Sequence, residues 1–168
     1  IFVRDVTGKN MYNGVFGCRD YVTSVTVQNC SNLDPVSTIA GGNRYPFYAD
    51  VDTECILFTG CYSYDGRHDY MAVKGTAGPV VFSDSIADMS NACSETHAAW
   101  ATGVLYDNIY QITDSSRGFM GYPNRSIYGT DYSHGWTAAG SVMWNCLSNA
   151  ILKKENGGKS QESKIITE

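Results

Sequence analysis

The sequence predicts an all-β protein with the fold of a right-handed parallel β-helix, a solenoid of about six stacked rungs. Three observations lead to this prediction. Glycine and tyrosine are abundant, at 17 and 12 of 168 residues, and only 17% of the residues are charged, a composition that favours strands and turns over helices. Six short segments share one residue pattern. Three of the five spacings between their first residues equal 24.

The six segments align without gaps, and each is expected to form one strand of the repeat. They are IFVRDV (1–6), VTVQNC (25–30), ILFTGC (56–61), VVFSDS (80–85), VLYDNI (104–109) and VMWNCL (142–147). The first column contains only Ile and Val. The third column contains bulky residues that favour strands, namely Val3, Val27, Phe58, Phe82, Tyr106 and Trp144. The fifth column is mostly Asp, Asn and Gly, which are typical of turns, and it ends on Cys146.

These columns favour a solenoid because alternate residues of a strand point to the same face, so the first and third columns point into one interior. One rung cannot bury those side chains alone, whereas stacked rungs form continuous ladders. With strands about 4.8 Å apart, the six rungs would form a column roughly 29 Å tall. The competing fold is an antiparallel sandwich or barrel. The dipeptides Asn13-Gly14 and Asp65-Gly66 suit its hairpins, but they lie between the aligned segments and leave the shared columns unexplained.

The chain divides into residues 1–152, which carry the rungs, and residues 153–168, a polar loop, tail or linker. Two insertions, 33–44 and 113–126, lengthen the irregular spacings, and insertions on one side of a solenoid commonly build its binding face. The first aligned segment begins at Ile1 itself. We therefore expect a piece of a longer β-helix, with further rungs or another chain packed against this N-terminal edge.

The net charge and the cysteine content indicate which binding partners and which cellular compartment are expected. A net charge of −5 and a pI near 5.1 argue against a nucleic-acid partner. No apolar run is long enough to span a membrane. Six cysteines, an even number, are compatible with disulfides in an oxidising compartment, although their pairing stays open. The triplets at Asn29 and Asn124 match N-glycosylation sites, so we expect a secreted, extracellular glycoprotein.

Three stretches resemble secreted right-handed β-helix proteins of the pectate-lyase-like superfamily: GRHDYM (66–71), ETHAAWATGVLYDN (95–108) and HGWTAAGSVMWNC (134–146). The resemblance covers the middle and end of the chain and implies the later rungs of a larger helix. That superfamily includes polysaccharide lyases, glycoside hydrolases, epimerases, phage tailspikes and members without known activity. The resemblance therefore implies a fold and a polysaccharide or glycan partner, but it assigns no catalytic residue.

The candidate site residues lie in the loops or strands that precede aligned segments. His97 and His134 precede their segments by similar distances, which would place them nearly above one another on neighbouring rungs. A groove with His, Arg and Trp side chains suits a carbohydrate, because an aromatic ring covers the apolar face of a sugar while polar groups bind its hydroxyls. The predicted catalytic residues are His97, His134, Arg67 and His68, and the predicted substrate-binding residues are Trp100, Trp136, Asp69 and Glu95.

The expected chemistry is β-elimination or hydrolysis of an acidic polysaccharide. Elimination needs a base near the proton beside the carboxylate, and a cation or donor for the developing charge. His97 or His134 would be the base, and Arg67 would bind the carboxylate. Hydrolysis instead needs two carboxylates. Three carboxylates lie in the same loops, on Asp69, Glu95 and Asp131.

Other interpretations remain open. The same His and Trp side chains suit a purely structural role at the corners of the coil, and Arg67 with Asp69 suits an ion pair. The alternative function is therefore a non-catalytic structural or adhesive β-helix in a secreted matrix, coat or fibre. No HxH or HExxH spacing occurs, so the sequence predicts no metal site, and no cofactor is expected. Cys93 has no cationic neighbour in the sequence, so it is not predicted to be a reactive thiol.

Overall fold

The computed structural model describes residues 1–98, 100–112, 120–121, 137–148, 151–152 and 165–166. All regular secondary structure in these ranges is β-strand. All strand pairs in these ranges are parallel. The prediction of an all-β chain of parallel strands is therefore confirmed. In the same part of the chain, no helix is long and apolar enough to cross a membrane.

The strands of the described residues are numbered in chain order. Those of the first half are β1 (Phe2–Arg4), β2 (Thr7–Lys9), β3 (Phe16–Cys18), β4 (Thr23–Gln28), β5 (Ser31–Leu33), β6 (Phe47–Ala49), β7 (Glu54–Thr59), β8 (Tyr62–Tyr64) and β9 (Tyr70–Val73). Those of the second half are β10 (Val80–Asp88), β11 (Ser94–His97), β12 (Ala101–Thr102), β13 (Val104–Gln111), β14 (Met120–Gly121), β15 (Ala138–Ala139), β16 (Val142–Trp144), β17 (Leu147–Ser148), β18 (Ile151–Leu152) and β19 (Ile165–Ile166).

These strands form two large sheets and one small sheet. The first sheet runs in the order β1-β4-β7-β10-β13-β16-β19, with β2, β5, β8 and β17 paired alongside this path. The second sheet runs in the order β18-β14-β11-β9-β6-β3, and the third joins β12 to β15. The chain passes from the first sheet to the second in each repeat, and each strand pairs with its counterpart from a neighbouring repeat. Residues far apart in the sequence therefore meet on adjacent strands.

The pairing register confirms the alignment of the first five segments. Val25 pairs with Ile56, Ile56 with Val80, and Val80 with Val104. The first segment pairs with the second in the same way. Side chains of the first and third columns therefore stack on one another along the first sheet, as the period-two pattern of a strand requires.

The alignment of the sixth segment is wrong by one residue. Val142 pairs with Leu105 and Met143 with Tyr106, so Met143 continues the interior column. Met143 is 4% exposed, whereas Trp144 is 41% exposed. The segment carries apolar residues at successive positions, so strand alternation alone does not choose which of them faces inward.

Stacked aromatic rings fill the interior between the first and second sheets. The ring centroids of Phe58 and Phe82 lie 5.1 Å apart, and those of Phe82 and Tyr106 also lie 5.1 Å apart. From the second sheet, Tyr70 approaches Phe82 at 5.9 Å. All four side chains are fully buried. Because large aromatic side chains bury much apolar surface and contact one another, we expect their burial to be the main contribution of this core to stability.

The turn column of the sequence corresponds to a column of left-handed backbone. Its positions have φ between 47° and 62°, in the region that Gly, Asn and Asp tolerate best, and they are Asp5, Asn29, Gly60, Asp84, Asn108 and Asn145. Two of the side chains bond along the stack. Asn108 Nδ2 donates to Asp84 Oδ1 at 2.8 Å, and Asn145 Nδ2 donates to Asn108 Oδ1 at 3.4 Å. The chain therefore leaves each strand by the same bend.

The predicted disulfides are not found, because all six cysteines are free thiols and five of them are buried. Cys30 and Cys146 follow the left-handed column, and their thiols donate to backbone carbonyls of Gln28 at 3.3 Å and Trp144 at 3.2 Å. These cysteines pack as small buried hydrophobic residues. The predicted polar segment 153–168 lies outside the described residues except for β19.

Candidate functional site

A group of polar side chains lies on the face of the second sheet that points away from the hydrophobic core. In β9, Tyr70 and Ala72 belong to the core. Glu95 of β11 pairs with Met71, the residue between them, and His97 pairs with Val73. Because side chains alternate along a strand, Glu95 and His97 lie together on the face opposite the core.

Glu95 is the centre of this group, and it uses both carboxylate oxygens. Its Oε1 contacts His97 Nδ1 and lies 3.5 Å from His68 Nδ1. Its Oε2 accepts a hydrogen bond from Cys93 Sγ at 2.6 Å. The rings of His68 and His97 lie 4.7 Å apart between centroids. We refer to His68, Cys93, Glu95 and His97 as the Glu95 cluster.

The imidazole of His68 is held in one orientation by the backbone. Its Nδ1–H donates to the carbonyl of Cys93 at 2.7 Å, so the neutral ring carries its proton on Nδ1 and a lone pair on Nε2. Burial is the main cause that lowers the pKa of His68 to about 4, and the ring is therefore neutral near pH 7. Its Nε2 is buried and has no hydrogen-bond partner among the described residues.

The carboxyl group of Glu95 is charged although it is buried. Burial alone would raise its pKa, but the hydrogen bonds from His97 and Cys93 and the electrostatic interactions with the two imidazoles outweigh burial and hold the pKa below its usual value. Glu95 is 1% exposed. A buried carboxylate is tolerated here because imidazole and thiol groups surround it.

Tyr45 and Arg67 form the partly exposed rim of the cluster. The ring of Tyr45 lies 5.4 Å from that of His68 and 6.0 Å from that of His97. Arg67 Nη1 donates to the Tyr45 hydroxyl at 3.0 Å, and the Gly42 amide donates to the same oxygen at 3.2 Å. The hydroxyl oxygen accepts two hydrogen bonds, which leaves its own proton available to a third group.

Asp69 lies apart from this group. It is fully buried, and its two oxygens accept hydrogen bonds from Ser63 at 2.5 Å and Ser90 at 2.6 Å. Burial raises its pKa to about 6, although the two serine hydrogen bonds act in the opposite direction. Asp69 is therefore an internal hydrogen-bond acceptor in this structure, and its predicted role in substrate binding stays a prediction.

The remaining predicted residues are either exposed or lie outside the described residues. Trp100 is 57% exposed and has φ of 65°, just before β12. Asn29 is exposed at its left-handed turn. His134, Trp136, Asn124 and Asp131 lie outside the described residues. The structure therefore brings together His97, His68, Arg67 and Glu95 of the predicted site.

Sequence reasoning missed two members of the site, Cys93 and Tyr45. Cys93, Glu95 and His97 are spaced by two residues, which is the strand period, so a search for polar residues with that spacing would have found the thiol. Tyr45 follows the insertion 33–44, and only the insertion itself was predicted to build a binding face. Its contact with the histidines depends on loop conformation, which has no periodic signal.

Comparison with protein-family models, with curated proteins and with solved structures finds no match for this chain. The pectate-lyase-like resemblance therefore stays a prediction.

Proposed function

We propose that this chain is a right-handed parallel β-helix of pectate-lyase-like type that acts outside the cell as a lyase on an acidic polysaccharide. The parallel sheets, visited in the same order in each repeat, support the solenoid. The observation that carries the activity is the contact between His97 Nδ1 and Glu95 Oε1 on the outward face of the second sheet. A carboxylate that holds one nitrogen of an imidazole orients the other nitrogen as a base.

The composition of the cluster favours elimination over hydrolysis. Hydrolysis of a glycosidic bond ordinarily needs two carboxyl groups facing the same bond. Among the described residues, Glu95 is the carboxylate of the cluster, while Asp69 is enclosed by two serines. Elimination needs one base and one proton donor, which His97 and Tyr45 supply.

The proposed reaction proceeds by removal of a proton and loss of a sugar oxygen. His97 Nε2 takes the proton from the carbon that bears the uronate carboxylate, and Arg67 binds that carboxylate. The electron pair of the broken carbon–hydrogen bond forms a carbon–carbon double bond, and the adjacent carbon–oxygen bond breaks. The Tyr45 hydroxyl gives its proton to the leaving oxygen, and protonated His97 then restores the Tyr45 proton, so the enzyme returns to its starting state.

The test is an incubation of the full chain with a panel of uronate polysaccharides, followed by the ultraviolet absorbance of the unsaturated product. We expect turnover that falls by roughly 10²-fold or more in His97→Ala and in Tyr45→Phe. Tyr12→Phe is the matched control, because Tyr12 is an exposed tyrosine elsewhere on the surface, and it should keep full turnover. No product from any polysaccharide, or unchanged turnover in His97→Ala, would count against the proposal.

A second candidate function is supported by the depth of the cluster. Glu95 is 1% exposed and His68 is 2% exposed, as expected of groups that stabilise a fold rather than meet a substrate. On this alternative the chain is a non-catalytic structural or adhesive β-helix of a secreted matrix, coat or fibre. His97→Ala would then lower the melting temperature, and no polysaccharide in the panel would yield a product.

A further inference from the structure

The Glu95 cluster contains a nitrogen that nothing in the described part of the chain satisfies. His68 donates its Nδ1 proton to the Cys93 carbonyl, and its Nε2 lone pair is buried without a partner. A buried acceptor without a partner destabilises the folded state, and a hydrogen-bond donor or a cation bound to it would remove this cost. Histidines that bind metals characteristically donate their other ring proton to a backbone carbonyl or carboxylate, as His68 does.

A second observation concerns the neighbours of this imidazole. His68, Cys93 and Glu95 each offer one ligand atom, with either ring nitrogen counted for His68, and these atoms all lie within 4.8 Å of one another. All three side chains are buried. A tetrahedral ion with ligands at about 2.0–2.3 Å holds them roughly 3.5 Å apart, so side-chain rotations that turn His68 Nε2 towards the thiol and the carboxylate would complete the site.

We propose that His68, Cys93 and Glu95 bind one divalent transition-metal ion of the zinc type. A set of one nitrogen, one sulfur and one oxygen suits a borderline-soft ion, whereas Mg²⁺ and Ca²⁺ prefer oxygen ligands alone. Binding removes the Cys93 thiol proton to solvent and involves no oxidation or reduction. The thiolate and carboxylate then carry two negative charges, which balance the two positive charges of the ion in a buried place.

The proposed site is compatible with the contact between Glu95 and His97. Oε2 of Glu95 faces the thiol, while Oε1 faces His97, so an ion beside the thiol leaves the imidazole contact in place. The inference goes beyond the proposed lyase function and does not depend on it. Its test uses metal binding alone and requires no substrate.

The experiment is a titration of the full chain with Co²⁺ after dialysis against a chelator. Co²⁺ bound to a thiolate gives a near-ultraviolet charge-transfer band, so the absorbance reports on the sulfur ligand. We expect the band to saturate at one ion per chain and to disappear when Zn²⁺ is added. In a weakly buffered solution, each bound ion should release one proton, from Cys93.

Three variants decide which residues bind the ion. Cys93→Ser should abolish the band, and His68→Asn should weaken Co²⁺ binding at least tenfold, because asparagine keeps a donor for the Cys93 carbonyl but lacks Nε2. Cys55→Ser is the matched control, because Cys55 is exposed and distant in sequence, and it should titrate as the unmodified chain does.

Several outcomes would overturn the proposal. They are a band that persists in Cys93→Ser, a band that is lost in Cys55→Ser, and the absence of any band in the unmodified chain. Circular dichroism shows whether each variant folds. If Cys93→Ser and His68→Asn do not fold, the unmodified chain and Cys55→Ser decide: a band in both supports the site, and its absence from either overturns it.

Discussion

At the scale of single residues, the alternation of side chains along a strand explains both the core and the cluster. In β11, Ser94 and Thr96 face the interior, while Glu95 and His97 face outward. The sequence analysis assigned both residues to the site, and their spacing of two residues explains why Glu95 and His97 share a face. This spacing was not enough to place Tyr45, which reaches the cluster through a loop.

The depth of burial of a charged or polar side chain determines whether it can meet a substrate, and the residue type alone does not reveal this depth. The sequence Arg67-His68-Asp69 was predicted to belong wholly to the site, yet its three side chains have three different environments. Arg67 lies partly exposed at the rim, His68 lies in the cluster, and Asp69 is enclosed by serine hydroxyls. Local sequence gives no information on depth, because depth depends on what the neighbouring repeats place above each residue.

The cysteines give a prediction at this scale. Burial raises the pKa of the Cys61 thiol to about 11, and burial also raises the pKa values of Cys18 and Cys146, so thiolate is scarce at these positions near neutral pH. We expect a brief treatment of the native chain with an alkylating reagent to label Cys55 alone. Peptide mass spectrometry would identify the labelled residue.

The control for the cysteine prediction is the same treatment in denaturant without a reducing agent, where all six thiols should react. A chain that gains fewer than six labels in denaturant contains disulfides, which would contradict the free thiols of the structure. Labelling of buried cysteines in the native chain would show that the interior opens readily.

At the scale of the strands, the sequence predicted the register wherever the turn residue occupied the fifth position of the aligned segment. The first five segments carry Asp, Asn or Gly at the fifth position, so aligning this turn residue also aligns the apolar first and third positions. The sixth segment has Val142, Met143 and Trp144 in succession, and the prediction chose the wrong one. Asn145 held the missing information, because it continues the left-handed column that Asn108 occupies one repeat earlier.

The stacked rings give the prediction at this scale. Phe82 is fully buried between Phe58 and Tyr106, so Phe82→Ala removes two stacking contacts and leaves a cavity. We expect the free energy of unfolding to fall by about 3–5 kcal/mol. Chemical denaturation followed by circular dichroism would measure the loss.

Trp144→Ala is the matched control for Phe82→Ala, because Trp144 was predicted to continue the same column but is 41% exposed. It should cost less than about 1 kcal/mol, since truncation of an exposed side chain leaves no cavity. A larger loss for Trp144→Ala than for Phe82→Ala would restore the original alignment and contradict the observed register.

At the scale of the whole molecule, the repeats share their strand pairing but not their polar side chains. Each strand of the large sheets pairs with its counterparts from neighbouring repeats, so stability is a sum of similar nearest-neighbour contacts. The Glu95 cluster breaks this uniformity, because Cys93, Glu95 and His97 belong to the single repeat that begins at Val80, while His68 comes from the repeat before it. The cluster was harder to predict than the fold, because the strand pattern recurs in every repeat whereas the residues of the cluster occur only once.

Because most of the cluster belongs to one repeat, we predict that removing this whole repeat abolishes the site and preserves the fold. Deletion of residues 80–103 joins Pro79 to Val104, and the register lets Val104 pair with Ile56 as Val80 did. We expect the shortened chain to keep parallel β-structure and a cooperative thermal transition at a lower temperature, because one set of nearest-neighbour contacts is lost. It should lose the cobalt band and any lyase activity, because Cys93, Glu95 and His97 are gone.

The matched control removes residues 80–91, half of the same repeat. This shorter deletion removes β10 of the first sheet but keeps β11 of the second, so the two sheets no longer alternate along the chain and β11 has no strand opposite it across the core. We therefore expect no cooperative transition in circular dichroism, although fewer residues are lost. If the whole-repeat deletion unfolds as completely as the half-repeat deletion, the repeats do not stack as equivalent units and the proposed solenoid is wrong. Retention of the cobalt band after the whole-repeat deletion would instead show that the ion binds elsewhere.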